Sequence, residues 1–177
     1  MRPETEAELA DLVRAARAPL SPLGGGTRLR PGEGAGTRLD LSALSGVVLY
    51  EPAALTLVVR AGTPLAEVQA VLAEERQMLA FEPDARDGST IGGVAAANAS
   101  GPRRVQAGAC RDAMLGLRFV DGTAEIVRNG GRVMKNVTGY DLVKLMAGSR
   151  GQLGVLTEIA FKTCLLYTSD AADERSS

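Results

Sequence analysis

Two small-residue stretches carry the strongest chemical suggestion in this sequence: PLGGGTR at residues 22–28 and STIGGVAAANASG at 89–101, where Ile91 is the one large side chain. Glycine admits positive φ and removes the Cβ that would hold a ligand off, so peptide N–H groups can converge on an anion. Neither stretch fits a standard nucleotide motif. GxGxxG fails at every offset, since Gly24 and Gly26 are followed by Leu29, and Gly32 and Gly34 by Thr37. No Gly-Lys-Ser/Thr exists, which removes the P-loop. Taken singly, the first stretch also reads as an ordinary turn and the second as close helix packing.

The remaining chemistry is bounded by what the chain lacks. There is no histidine among the 177 residues. A Ser-His-Asp triad, an HExxH zinc site and a histidine base are therefore excluded within this sequence. Aromatics make up 3%, tryptophan is absent and the net charge is −1, so neither stacking nor phosphate-backbone attraction favours nucleic acid. Cys110 and Cys164 form no CxxC and no disulfide framework. The N-terminal stretch MRPETEAELADLVRAARAPL is charged throughout, unlike a signal peptide, and no apolar run reaches the length of a membrane span. These features read as a soluble, cytoplasmic chain.

The elements that must hold the two stretches can be placed from periodicity and caps. Thr5-Glu6-Ala7-Glu8 is a capping box before Leu9, Leu12, Val13 and Ala16, which predicts a helix to about Ala18, stopped by Pro19. A short strand then enters the glycine loop, and TRLDLS reads as an edge strand with Leu39 and Leu41 on one face. Val47–Tyr50 and Leu55–Arg60 read as strands joined by residues 51–54. Pro64 opens a second helix with the stripe Leu65, Val68, Val71 and Leu72. MLGLRFVDGTAEIV reads as a hairpin turning at Asp121-Gly122. Thr138 to Asp141 reads as another capping box, stapled by Val137 and Leu142, for a helix ending at Gly148. GQLGVLTEIAFK reads as the last strand. Without strict βαβ repetition the fold class is α+β.

The end of the sequence departs from this pattern. One codon choice for Cys-Leu-Leu-Tyr-Thr-Ser, TGT CTC TTA TAC ACA TCT, matches the transposon end used as a sequencing adapter. Residues 164–177 are therefore expected to be translated adapter rather than native sequence, a natural polar tail being the alternative, and the natural chain is expected to continue past residue 163.

In order along the chain, PLGGGTR, LVVRAGTPLAEVQAVL, EPDARDGSTIGGVAAANASG, GACRDAMLGLRFVDG and KNVTGYDLVKLMAGSRGQLGVLTEI resemble the FAD-binding domain of the vanillyl-alcohol oxidase/p-cresol methylhydroxylase (PCMH-type) superfamily. Within it the sequence looks most like the FAD-binding subunits of bacterial glycolate oxidases. GGRVMKNVTGYDLVKLMAGSRGQLGVLTE is the most specific segment, and the likeness spans about Glu4 to Thr163.

The resemblance implies two α+β subdomains with FAD extended between them and a glycine loop on each side of its pyrophosphate. Carried onto this sequence, Gly24, Gly25, Gly26, Thr27 and Arg28 make one grip, and Thr90, Ile91, Gly92 and Gly93, with Ser100 and Gly101, the other. Arg111 and Asp112 match an Arg-Asp pair, which is either part of the site or a plain ion pair. Gly151, Leu153, Gly154 and Val155 match a strand that bonds the adenine end. The family usually has glutamate where this chain has Arg150. Lys135 and Asn136 are implied to lie towards the flavin ring, although Lys135 is equally readable as a solvated loop lysine. Some members attach FAD through a loop histidine; none exists here, so the resemblance implies non-covalent FAD.

The function implied is an FAD-dependent oxidoreductase of a 2-hydroxy acid such as glycolate, in which the α-hydrogen leaves as hydride to the flavin and a base takes the hydroxyl proton. No residue here is assignable as that base, which is expected in a C-terminal domain or a partner. This chain alone is expected to bind FAD weakly and not to turn over. Implied partners are a small-molecule substrate, a second flavin subunit and an iron–sulfur subunit that could hold the assembly at the inner membrane. The rival readings are a non-catalytic FAD-binding or electron-relay subunit, an oxidase of lactate, an aldonolactone or an alcohol, and a phosphate-binding module without flavin.

Overall fold

The structure is a computed structural model that describes residues 1–131 and 139–166. Helix α1 (Glu6–Ala15) starts at Thr5, whose Oγ1 accepts from the Glu8 amide at 3.1 Å. The box closes one residue further out than expected, because Glu8 Oε2 accepts from the Glu4 amide at 2.8 Å. The helix also ends at Ala15 rather than near Ala18: Pro19 disfavours helical backbone at the residue before it, and the chain turns there into β1 (Leu20–Leu23). Strand β1 pairs in parallel with β2 (Thr37–Asp40), and the glycine-rich loop of residues 24–36 joins them.

Strands β3 (Val47–Glu51) and β4 (Thr56–Arg60) form a hairpin across a 3₁₀ turn at Pro52–Ala54, closed by Leu55 at φ 51°. Helix α2 (Leu65–Glu74) buries Leu65, Val68 and Leu72, with Pro64 at the N-cap rather than inside the first turn. There follow β5 (Gln77–Met78), α3 (Ile91–Ala96), α4 (Arg104–Ala107) and α5 (Cys110–Ala113). Strands β6 (Met114–Asp121) and β7 (Ile126–Gly130) make the expected hairpin with a wider turn than Asp121-Gly122 alone. Asp121 Oδ1 accepts from the amides of Thr123 and Glu125, both at 2.9 Å, and Ala124, not Gly122, is left-handed at φ 67°.

Helix α6 (Leu142–Met146) is capped by Asp141, which accepts from the Lys144 amide at 3.0 Å; Asp141 is thus the cap itself rather than the third position of a box. Thr138 and Val137 lie outside the described residues. Strand β8 (Gly154–Lys162) completes a five-stranded antiparallel sheet of order β3-β4-β8-β6-β7. Beyond it, β9 (Cys164–Leu165) pairs with β5.

Two cores result. The larger packs α2, α3 and α6 on one sheet face around Leu57, Val59, Ile91, Ile159 and a Phe81–Phe161 pair with centroids 5.9 Å apart. The smaller gathers Leu9, Leu39, Leu41, Leu44, Val120 and Val155 beneath α1 and β2. Residues of β8 serve both cores, so the strand joins them. Among the described residues no helix is long and apolar enough to cross a membrane.

Candidate functional site

The two small-residue stretches meet. Residues 22–29 form one wall of a cleft of about 730 Å³; Thr90, Gly92, Gly93, Ala96 and Ala97 of α3 and its cap form another. Arg150, Gly151, Gly154, Val155 and Leu156, from the turn into β8, close a third side, and Ala61 lies at the base.

Much of the glycine content is explained by the protein's own backbone. A Cβ on Gly25 would lie 1.6 Å from the Gly88 carbonyl oxygen, and one on Gly24 would lie 2.1 Å from Thr90 Oγ1. Gly92 faces the Ala61 carbonyl at 2.6 Å, and Gly101 the Glu82 carbonyl at 2.1 Å. The loops interlock, which sets the cleft's shape but also means that bareness at these four positions serves packing. Gly93 differs: its nearest neighbour would be Thr90 Oγ1 at 3.3 Å, leaving its other side open to the cleft.

Hydrogen bonding separates the two walls further. The Ile91 amide donates to the Thr63 carbonyl at 2.9 Å, Gly92 to Ala61 at 2.8 Å, Gly93 to Thr90 Oγ1 at 3.3 Å and Gly101 to Phe81 at 2.9 Å. These donors of the second stretch are spent. The amides from Gly24 to Leu29 donate to no acceptor among the described residues, and Gly25 and Gly26 are exposed. Unpaired peptide N–H groups at a cleft wall are what an oxyanion requires.

Three arginines shape that wall. Arg28 donates through Nη2 to the Asp84 carbonyl and to Ser89 Oγ, while its Nε is buried without a partner. Burial first, then the like charge of Arg86, lowers the Arg28 pKa, though an arginine stays cationic near neutrality. Arg86 bonds the Thr27 carbonyl at 3.0 Å and pairs with Asp84 at 2.7 Å. Arg150 donates to the Arg28 carbonyl at 2.6 Å and pairs with Glu33 at 2.5 Å. Hydrogen bonds from Arg150 hold the Glu33 carboxyl down to about 2.

The other expected site residues are placed elsewhere. Ile91 is fully buried in the larger core, and Leu153 points outward, 48% exposed. Ser100 Oγ accepts from the Cys110 amide at 2.9 Å. Asp112 accepts from the Ala109 amide at 2.9 Å and pairs with Lys144 at 3.1 Å, with Arg111 3.9 Å away. None of these lines the cleft. Lys135 and Asn136 lie outside the described residues. Glu33 and Arg86 were not expected from the sequence: a lone surface charge in a polar loop carries no signal of its partner.

The comparisons agree with this geometry. The family described as FAD binding domain matches residues 1–130. The chain is 47% identical over 128 residues to the glycolate oxidase subunit GlcE of Escherichia coli K12, covering 72% of this chain and 37% of that protein. It is 36% identical over 152 residues to the glycolate oxidase subunit GlcD of Bacillus subtilis 168, covering 82% and 32%. It is 32% identical over 163 residues to the D-lactate dehydrogenase of Anaerostipes hadrus, covering 90% and 34%. The chain thus spans about a third of the length of these relatives. A solved alkyldihydroxyacetonephosphate synthase shares the fold at a TM-score of 0.74 and 23% identity, over 93% of this chain and 31% of that one. An α+β fold with two cores, a cleft between interlocked glycine loops and these relatives lead to one conclusion: the chain belongs to the PCMH-type FAD-binding domain family.

Proposed function

We propose that this chain is the FAD-binding part of a flavin-dependent oxidoreductase that acts on a 2-hydroxy acid, with glycolate as substrate. The observation that carries the reading is the run of unspent amides from Gly24 to Leu29 facing α3 across one cleft, beside the cationic Arg28. Such donors fit a diphosphate, because they are already oriented and cost no reorganisation on binding. Gly24, Gly25, Gly26, Thr27 and Arg28 would hold it on one side, with Gly93 and the Thr90 cap opposite. Gly151, Gly154 and Val155 would border the adenosine end. Bound FAD would supply the acceptor for the hydride released from the hydroxy acid's α-carbon.

The residues at hand bind and orient; they do not take the proton. Glu33 is the one carboxylate lining the cleft among the described residues, and a group held near 2 is a poor base at neutrality. The proton acceptor is therefore assigned to a further domain or a partner; the GlcE and GlcD relatives are both named as subunits, which supports assembly with other subunits, and the partners assigned here are a second flavin subunit and an iron–sulfur subunit. The cytoplasm, with contact to the inner membrane through such partners, is the matching location. Non-covalent FAD is the matching mode, a reading supported by a sequence that offers no histidine for a histidyl–flavin bond.

The test is to load the purified chain with FAD and precipitate it with acid. Flavin in the supernatant is the expected result; flavin retained in the pellet contradicts non-covalent binding, and a chain that takes up no FAD contradicts the assignment. Oxidation of glycolate by the chain without partners would overturn the placement of the base.

A further inference from the structure

The Arg150–Glu33 pair joins residues 117 positions apart, on two sides of the cleft. Arg150 Nε donates to Glu33 Oε1 at 2.6 Å and Nη2 to Oε2 at 2.5 Å, a two-pronged contact; the side chains are only 15% and 26% exposed. The same Nη2 reaches the Arg28 carbonyl at 2.6 Å.

The two partners are anchored unequally. The Arg150 amide is tied to the Ala96 carbonyl at 2.9 Å and its neighbour Gly148 to Ala95 at 3.0 Å, so the arginine stands on α3. Glu33 stands on a loop with glycines at positive φ at positions 26, 32, 34 and 36. Within residues 24–36, the backbone pair Glu33 to Arg30 at 3.0 Å is the sole main-chain hydrogen bond among the described residues. A loop so sparsely bonded depends on side-chain ties for its position. Arg150 itself holds φ 57°, a conformation that costs a non-glycine residue energy. An arginine kept where glycine would sit at less cost points to work done by its side chain.

We propose that Arg150 and Glu33 form a clasp that holds the Gly24–Gly36 loop shut over the cleft and sets how fast a nucleotide diphosphate leaves it. Arg150 is a positioning residue. By fixing the Arg28 carbonyl on one side of a trans peptide, it turns the Leu29 N–H to the other, while Arg86 does the same for the preceding peptide through the Thr27 carbonyl. The part of the proposal that concerns ligand release rests on the FAD reading; the loop closure does not.

The experiment therefore has an arm that needs no ligand. Amide hydrogen exchange is read at Glu33, whose N–H is protected within the loop by the Arg30 carbonyl at 3.0 Å, in the wild-type chain, in Arg150→Gln, in Glu33→Gln and in the double charge exchange Glu33→Arg with Arg150→Glu. Loss of a charge-assisted two-pronged contact should speed exchange in the loop about tenfold in either single variant, with recovery in the double variant. The FAD dissociation rate, read by flavin fluorescence after dilution, should rise about tenfold and recover in parallel, a response that a general loss of stability would not restore. Loop exchange unchanged in both single variants overturns the clasp. Faster exchange with an unchanged FAD dissociation rate overturns its control of release. A wild-type chain that binds no FAD overturns the cofactor reading, and the exchange arm still decides the closure. Should Arg150→Gln fail to fold, Glu33→Gln decides it.

Discussion

The two glycine-bearing stretches look alike in sequence and do different things in space. In residues 89–101, Ile91, Gly92, Gly93 and Gly101 spend their amides on the protein, and Gly92 and Gly101 lack a Cβ because backbone carbonyls stand 2.6 and 2.1 Å from where it would be. In residues 24–29 the amides stay unspent, and Gly25 and Gly26 face solvent. Small residues thus mark close approach without saying what approaches. One stretch is scaffold, bracing α3 against the β4–α2 turn; the other leaves its donors unspent at the wall of the cleft.

The largest expected effect probes the seam between them. Gly25→Ala forces a Cβ into the Gly88 carbonyl, which neither loop can avoid without parting, and should cost about 3 kcal/mol or more in chemical denaturation. Gly93→Ala meets only Thr90 Oγ1, so it should cost well under half as much while weakening FAD binding, since that side faces the cleft. Equal losses of stability would erase the distinction between packing glycines and cleft glycines.

A second contrast is between side chains. Arg28→Ala removes the cation at the open wall and should weaken FAD binding by about one to two orders of magnitude, as expected for a charge-assisted contact. Ser100→Ala removes the acceptor of the Cys110 amide and should lower stability by about 1 kcal/mol with FAD affinity within about twofold. Titration of the two variants by isothermal calorimetry checks both; a tenfold loss in Ser100→Ala would return the second stretch to the binding surface.

The pH response of the clasp is smaller. Glu33 has its folded pKa depressed to about 2, from an ordinary value near 4.5, by hydrogen bonds from Arg150. Its contribution is therefore complete above the unfolded value and disappears as pH falls through the folded one. The ratio of exchange rates between Glu33→Gln and wild type at the same pH should be constant from neutrality to about pH 5 and fall towards one on approach to pH 2. The smallest effect concerns Cys110, buried beside the second stretch, whose thiol is pushed up to about 12 by burial. In folded protein, mass spectrometry after iodoacetamide treatment should find it unmodified; rapid modification would mean that the second wall opens.

Much of the fold was legible, because caps and periodicity are local. Thr5, the stripe of α2 and the β6–β7 hairpin all follow from neighbouring residues. The departures are local too: Pro19 shortened α1, Asp121 collected amides into a wider turn, and Asp141 proved to be a cap. In the candidate site the order of motifs pointed to both stretches. It could not show which amides were spent, since the acceptors of Ile91 and Gly92 lie in residues 61–63 and that of Gly101 is Phe81, all remote in sequence. Nor could it pair Glu33 with Arg150, whose meeting depends on the loop and on α3 together.

Amide chemical shifts of the chain titrated with FAD test the central claim most directly. Gly24 to Leu29 should shift strongly and saturably, with the amides of Ile91 and Gly92 moving little, since those donors are already engaged. Strong shifts confined to Ile91 and Gly92, with Gly24 to Leu29 silent, would contradict the account.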